Sequence, residues 1–540
     1  MQHHRTYALL SLRLASASCL TTPLVAATCP STAAPSVAPS IAGHVRHADA
    51  RPAAGVLMVA QHLERPLRFA TLTAASGSFE LADAPDGRYA VSAAHEASDT
   101  ALLTVTRGTA SRADVTLRGT PNNAAVSSAQ WLGMLPDGEA KRKFILDCTG
   151  CHQLDTRHVV KDGQPRSQQQ WIADVTRMLG FAGATTGFPV IAADRNALET
   201  AVWASAALAG TPRARSAPLP LDSAVATITE YDMPLAHDLP HDVAVDSSGR
   251  VVITGMFSHT MYTLDAATGR LTDVPVPVPN GGPRAVEIDA TGNWWVLLGG
   301  AGQVARYDIR ERQWRTWPID MYPHSIGIAA GTGRAWFNGH FTRDPEVIAE
   351  LDPVSGAITK HQLPPHLTLR SDGGPIPYEL RFAPDGRVWI SELQGNRLIG
   401  YEPRTRQSVT YYMPTSWSGP RRFEIAADGV LWIPAYASNQ LVRLDPRSGL
   451  TKAFDLPMRD AAPYVVRIDH ATGQMWIGTS AGDVLMRFDP KTERFAVFPL
   501  PSRGALVRHL AIDPRTHDVW LAYGASPSSI PARIARVQLR

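Results

Sequence analysis

The pentapeptide Cys148-Thr149-Gly150-Cys151-His152 carries the most specific chemistry in the chain. Two thiols separated by two residues can both add to the vinyl groups of a haem, and the adjacent histidine then ligates the iron. The alternatives fit less well. A zinc site would need two further ligands of similar spacing, and the only other cysteines are Cys19 and Cys29. A thioredoxin-like disulfide needs a βαβ setting, whereas the flanking sequence has helical spacing. The expected sixth ligand is Met178, whose thioether would raise the potential. His158 is the fallback and Met134 stands behind it.

A second group of reactive side chains is scattered in sequence but recurs at equivalent points of a repeat: His241, Arg284, His324, Tyr378, Glu379, Arg421, Tyr464, Arg508 and His509. Each opens the first strand of a repeat unit. In an antiparallel pair that position lies beside the end of strand two, here Gly255, Leu298, Gly339-His340, Glu392, Ala435-Tyr436, Thr479 and Tyr523. One rim should therefore gather histidines, arginines, tyrosines and two glutamates, a surface suited to a small-molecule or anionic ligand or to a protein loop.

The elements that position these groups follow from composition and period. Of 540 residues, 52 are basic and 49 acidic, a net charge of +3 that implies no nucleic-acid-binding surface. Gly at 41 and Pro at 42 favour tight turns and hence β-structure. Residues 1–27 have the charged start, apolar middle and small-residue end of a signal peptide, so the mature protein is expected in the periplasm or secreted. No later stretch is long and apolar enough for a membrane span. A linker at 28–40 precedes short alternating strands from Ile41, a β-sandwich pattern. Residues 137–209 have helical spacing, with Met178 on an amphipathic segment. Beyond residue 221, Trp295, Trp336, Trp389, Trp432, Trp476 and Trp520 recur about every 44 residues, the period of a four-stranded propeller blade. Starts at Pro240, Pro283, Pro323, Pro377, Pro420, Pro463 and Leu506 count seven blades. The seventh lacks an outer strand after Leu539, and Thr227 to Met233 has the pattern to supply it.

Three stretches resemble known families. Gly43 to Val91, as G-x-V, G-V-x-V-x-A, G-x-F-x-L and P-x-G-x-Y-x-V, resembles the carboxypeptidase regulatory-like family. That resemblance implies an immunoglobulin- or transthyretin-like sandwich over 41–118 without catalytic residues. C-x-x-C-H followed by Trp171, Val175 and Met178 is similar to small cytochrome c domains, over 131–209. Pro384 to Glu392 with Gly395 to Tyr401 resembles the virginiamycin B lyase (streptogramin lyase) family, over 225–540. This last resemblance implies Mg²⁺-assisted elimination from a cyclic depsipeptide. His324 and His340 would then offer the base, and Glu392 and Glu379 would hold the metal. The family glutamate is matched in one blade only, and arginines occupy nearby openings.

The expectation is thus a mainly β multidomain chain: a small sandwich, a helical cytochrome c domain and a seven-bladed β-propeller. It would carry one covalent haem c and act in electron transfer with a periplasmic redox partner or dehydrogenase. The alternative is a carbon–oxygen lyase of the streptogramin type, with Mg²⁺ at the rim.

Overall fold

Asp-x-x-Gly builds the same turn between the first and second strands of the first two blades, at Asp246–Gly249 and Asp289–Gly292. In the second, Asp289 Oδ1 accepts the backbone N–H groups of Thr291 (2.9 Å) and Asn293 (3.0 Å), and Gly292 takes φ +85°. The indole of Trp295 donates to the other Asp289 oxygen at 3.0 Å. Trp295 is therefore both a core side chain and a clamp on its own turn. All six repeat tryptophans are buried. Each removes roughly 200 Å² from water, about 5 kcal/mol of gross transfer energy at 25 cal/mol per Å². Trp295 packs with Ile326 and Phe337 of the next blade, so this burial joins neighbours.

The computed structural model describes residues 40–95, 97–106, 109–118, 126–180, 197–210, 226–339, 346–366, 375–524 and 532–539. The expected signal peptide, the linker up to residue 39, Cys19, Cys29 and His340 lie outside them.

Six four-stranded antiparallel sheets follow one another at 240–275, 283–318, 323–362, 377–412, 424–455 and 463–499. Strands Val507–Ile512, Val519–Tyr523 and Arg533–Leu539 form the seventh. Its outer strand comes from ahead of the first blade, Ala226–Asp232, pairing Ala226 with Leu539 and Asp232 with Arg533. The innermost strands touch their neighbours in cyclic order and return to Pro240–Val245, a closed ring.

Among the described residues, eight short strands build the N-terminal part: β1 (Ser40–Arg46), β2 (Leu57–His62), β3 (Leu67–Leu72), β4 (Ser78–Ala82), β5 (Gly87–Ala93), β6 (Ala101–Val105), β7 (Ala110–Arg112) and β8 (Val115–Thr116). They lie in two layers, one containing β4, β1, β7 and β8 and the other β3, β2, β5 and β6. The second layer has a partner the repeat pattern did not announce. With the hairpin strands β9 (Val160–Lys161) and β10 (Gln164–Pro165) counted, the ring-closing strand is β11. β3 pairs antiparallel with its open edge, Leu67 to Tyr231 and Ala70 to Ile228. The sandwich layer and the seventh blade are therefore one eight-stranded sheet, which covers an edge otherwise left with unpaired backbone groups.

Among the described residues, five helices lie between these parts: α1 (Ser128–Leu132), α2 (Glu139–Cys148), α3 (Thr156–Val159), α4 (Gln168–Leu179) and α5 (Ala197–Ala207). Their starts carry their own stop signals. Ser127, Asp155 and Ser167 cap α1, α3 and α4, each with a reciprocal bond from the third helical residue. Leu146, Leu154, Trp171 and Leu208 share one apolar cluster with Ala437, Ala462, Ala481 and Leu506 of the ring. The helices thus rest on the propeller. No described helix is long and apolar enough to cross a membrane.

Candidate functional site

Every inner strand is irregular where the expected rim residues stand. Pro240 faces Gly255, Pro283 Leu298, Pro323 Gly339, Pro377 Glu392, Pro463 Thr479 and Val507 Tyr523, and the register then slips before the ladder resumes. In the fifth blade Pro420 bridges Ala435, and the regular strand begins only at Glu424. A slipped ladder twists the strand and re-aims side chains. Consecutive pairs such as His241-Asp242, Tyr378-Glu379 and Arg421-Arg422 are accordingly buried together.

Arg284, Arg421 and Arg508 lie in this outermost layer and are at most 6% exposed. Arg421 Nη1 donates to Tyr378 Oη at 2.6 Å, and its guanidinium lies 3.9, 4.4 and 5.0 Å from the ring centres of Tyr436, Tyr464 and Tyr378. The Tyr378 and Tyr464 hydroxyls are hydrogen-bonded to each other. Arg284 donates to Tyr322 at 2.7 Å. Each desolvated cation–π contact is worth about 2 kcal/mol, comparable with part of the cost of burying a charge. Ring faces do not neutralise that charge, however.

His241 and His324 stand edge to face at 6.0 Å. Burial, reinforced by Arg284, Arg422 and Arg508, holds His241 far below the usual histidine range, so its ring is neutral. Further along the strands the charges pair. Arg422 donates to Asp242 at 2.9 and 3.2 Å, and Glu379 meets Arg381 at 2.8 Å and Arg467 at 2.9 Å. His509 sits within 3.0 Å of Arg467 and 2.9 Å of the Val243 carbonyl, and burial keeps it uncharged.

The C-x-x-C-H loop lies over this mouth. Tyr436 Oη donates to the Thr149 carbonyl at 2.9 Å and is 2.7 Å from Thr149 Oγ1. Arg508 Nη2 donates to the Cys151 carbonyl at 2.7 Å. The flanks are held as well: Gln394 donates to Asp147 at 3.2 Å, Gln153 to Asp483 at 3.0 Å and Arg142 to the Ser416 carbonyl at 2.7 Å. The buried Lys141 pairs with Asp460 at 2.7 Å.

The donor set fits a covalent haem. Cys148 and Cys151 are half-buried thiols, not a disulfide. His152 Nδ1 is 2.9 Å from the Gln153 carbonyl, which can only accept, so the proton sits on Nδ1 and Nε2 keeps its lone pair. Burial, then His158, lowers His152 to about 4 and leaves the imidazole neutral. His158 stacks on it with centroids 4.3 Å apart. Met134 packs against the same apolar cluster as both cysteines, while Met178 stands half-buried in the last turn of α4.

The Mg²⁺ expectation meets a different environment. Glu392 is held at both oxygens by Arg397, at 2.5 and 3.1 Å, and Arg397 itself donates to the Pro364 carbonyl at 2.7 Å. Burial works to raise Glu379, but Arg381, Arg422 and Arg467 hold it below the usual carboxylate range. Both carboxylates thus belong to arginines, and among the described residues no group of three metal-ligating side chains gathers. The expected pair does not fit the metal. His324 is buried with its Nδ1 against the Tyr378 carbonyl, and His340 is not described.

Tyr436 was expected at the rim only as the end of a second strand, and Arg422, Arg467 and Asp242 were not expected as site residues. The doublet Arg421-Arg422 after Pro420 was the available signal, since two adjacent arginines at an inner strand require a slipped ladder.

Residues 40–118 match the family model of the carboxypeptidase regulatory-like domain. No curated protein matches the chain. Among solved structures it is similar to a streptogramin B lyase, at 19% identity and TM-score 0.50, over 58% of this chain and 98% of that one. Selenomethionine-substituted virginiamycin B lyase from Staphylococcus aureus gives 19% and 0.51, over 58% and 100%. A catalytically inactive variant of the Staphylococcus aureus enzyme with quinupristin gives 18% and 0.51, over the same shares. At such identity the likeness shows the β-propeller fold alone.

Proposed function

We propose that this chain is an exported monohaem c-type cytochrome module fused to a ligand- or partner-binding β-propeller, acting in periplasmic electron transfer. The observation that carries this reading is the seat of the Cys148–His152 loop, fastened to the propeller mouth through Tyr436 and Arg508. Cys148 and Cys151 would hold the haem, His152 Nε2 would ligate its iron, and Met178 would supply the sixth ligand, with His158 the alternative. Bound there, the haem supplies one-electron redox chemistry. The Gln153 carbonyl fixes the His152 tautomer, and the buried mouth limits water around the cofactor. A periplasmic redox partner or dehydrogenase would exchange the electron. Streptogramin-type elimination gains no support from the mouth, because Mg²⁺ would have to displace Arg397 from Glu392.

The test is the visible spectrum of protein exported by a host that matures c-type cytochromes. One haem c per chain, absent from Cys148→Ala, is expected; a colourless wild-type protein would reject the proposal. Met178→Ala should shift the redox potential, and an unchanged spectrum and potential would move the sixth ligand to His158.

A further inference from the structure

The outermost layer of the mouth holds three buried cations with tyrosines and backbone, rather than carboxylates, beside them. Among the described residues, Arg284, Arg421 and Arg508 have no carboxylate within ion-pair distance; their hydrogen bonds go to tyrosine hydroxyls and to the backbone of the haem-type loop. Nε and Nη2 of Arg421, Nη1 of Arg508 and Nε of Arg284 are buried donors with no partner there. One to three residues further along the same strands the position is reversed. Arg381, Arg422 and Arg467 face Asp242, Glu287, Glu379 and Glu424, and every arginine has a carboxylate. Of these two layers of described residues, the imbalance belongs to the mouth.

An arginine cannot shed its proton to escape burial, as His241 does. Unpaired buried charge is among the most expensive features a protein can carry, and unmade hydrogen bonds add to it. The three side chains also converge. Arg421 lies on the ring of Tyr436, whose hydroxyl holds the Thr149 carbonyl, Arg508 holds the Cys151 carbonyl of the same loop, and Arg284 and Arg508 open the inner strands on either side of the first blade's. Guanidinium forks match the planar, bidentate acceptor of a carboxylate, and a singly charged group loses less hydration on entry than a phosphate.

We propose that Arg284, Arg421 and Arg508 form a carboxylate-binding site beneath the Cys148–His152 loop. Two sources can supply that chemistry: a propionate of the haem, which rests on the reading above, or a small free carboxylate held beside the loop.

The experiment titrates acetate by calorimetry into three exported full-length proteins: wild type, Cys148→Ala/Cys151→Ala and Arg421→Gln/Arg508→Gln. The same titration is run on Arg404→Gln, a control at a side chain 88% exposed on a blade turn. The haem potential is followed from pH 5 to 9 wherever haem is present. For a propionate source, the cysteine-less chain binds acetate, haem-loaded wild type does not, and the double arginine variant moves the reduction equilibrium at least tenfold toward the oxidised form, 59 mV for one electron. For a free carboxylate, haem-loaded wild type binds acetate as well as the cysteine-less chain does, and the arginine variant binds at least tenfold more weakly. Arg421→Lys, which keeps the charge, should recover part of either effect and guards against misfolding. No acetate binding by any form, together with a potential in the arginine variant equal to that of Arg404→Gln, would overturn the site. Absence of covalent haem from wild type would remove the propionate source only, leaving the titration to decide.

Discussion

At the scale of single residues, the chain is most legible where chemistry is local. Cys148, Cys151 and His152 are read from five consecutive positions, and the His152 proton is fixed by its immediate neighbour, the Gln153 carbonyl. Glu392 was less legible as a metal ligand, although the reason was within reach: it faces Arg397 directly across a hairpin, a pair the cross-strand register dictates. Glu379 was only partly legible: Arg381 stands two residues on in its own strand, but Arg422 and Arg467 come from other blades. The lowered His152 makes a prediction with a definite sign. The unfolded chain takes up the imidazole proton near pH 6.5 while the folded chain resists until about 4. This residue's contribution is therefore complete above pH 6.5 and lost as pH falls from 6.5 towards 4. The slope should reach at most ~1.4 kcal/mol per pH unit. Urea denaturation of the cysteine-less chain across that window, with and without His152→Gln, should show a steeper acid loss when His152 is present. Parallel curves would show that burial does not depress it.

At the scale of elements, the repeat period located the blades and also the closing strand, because strand alternation and blade spacing are properties of the sequence itself. The pairing of β3 with β11 had no such signal. An open strand edge accepts any extended segment that reaches it, and nothing in either strand marks the other as partner. The contact of α2 with the mouth was equally hidden, and a glycine reports it. Gly419 has φ +65°, and a Cβ there would come within 2.1 Å of Leu146 on α2. Gly429 has φ +85° with open space around it. Alanine at Gly429 should cost only the backbone strain, about 1 kcal/mol. At Gly419 it should cost that plus the displacement of α2, about 2–3 kcal/mol in all. Equal denaturation midpoints for the two variants would mean that α2 does not press on the fifth blade.

At the scale of the whole molecule, the sandwich and the propeller are joined by a continuous sheet, and the helices lie over the propeller's mouth. That arrangement brings a motif read from one stretch of sequence against side chains drawn from several blades. The propeller likeness to lyases describes the ring, whereas the chemistry of this ring's mouth is arginine-rich and faces the C-x-x-C-H loop. The central claim is that Cys148 and Cys151 carry a haem there. Mass spectrometry of the proteolytic peptide spanning residues 148–152, from protein exported by a host that matures c-type cytochromes, tests it most directly. The account predicts one haem joined to that peptide by two thioether bonds. Recovery of the peptide with two unmodified thiols, or with a disulfide between them, would contradict it.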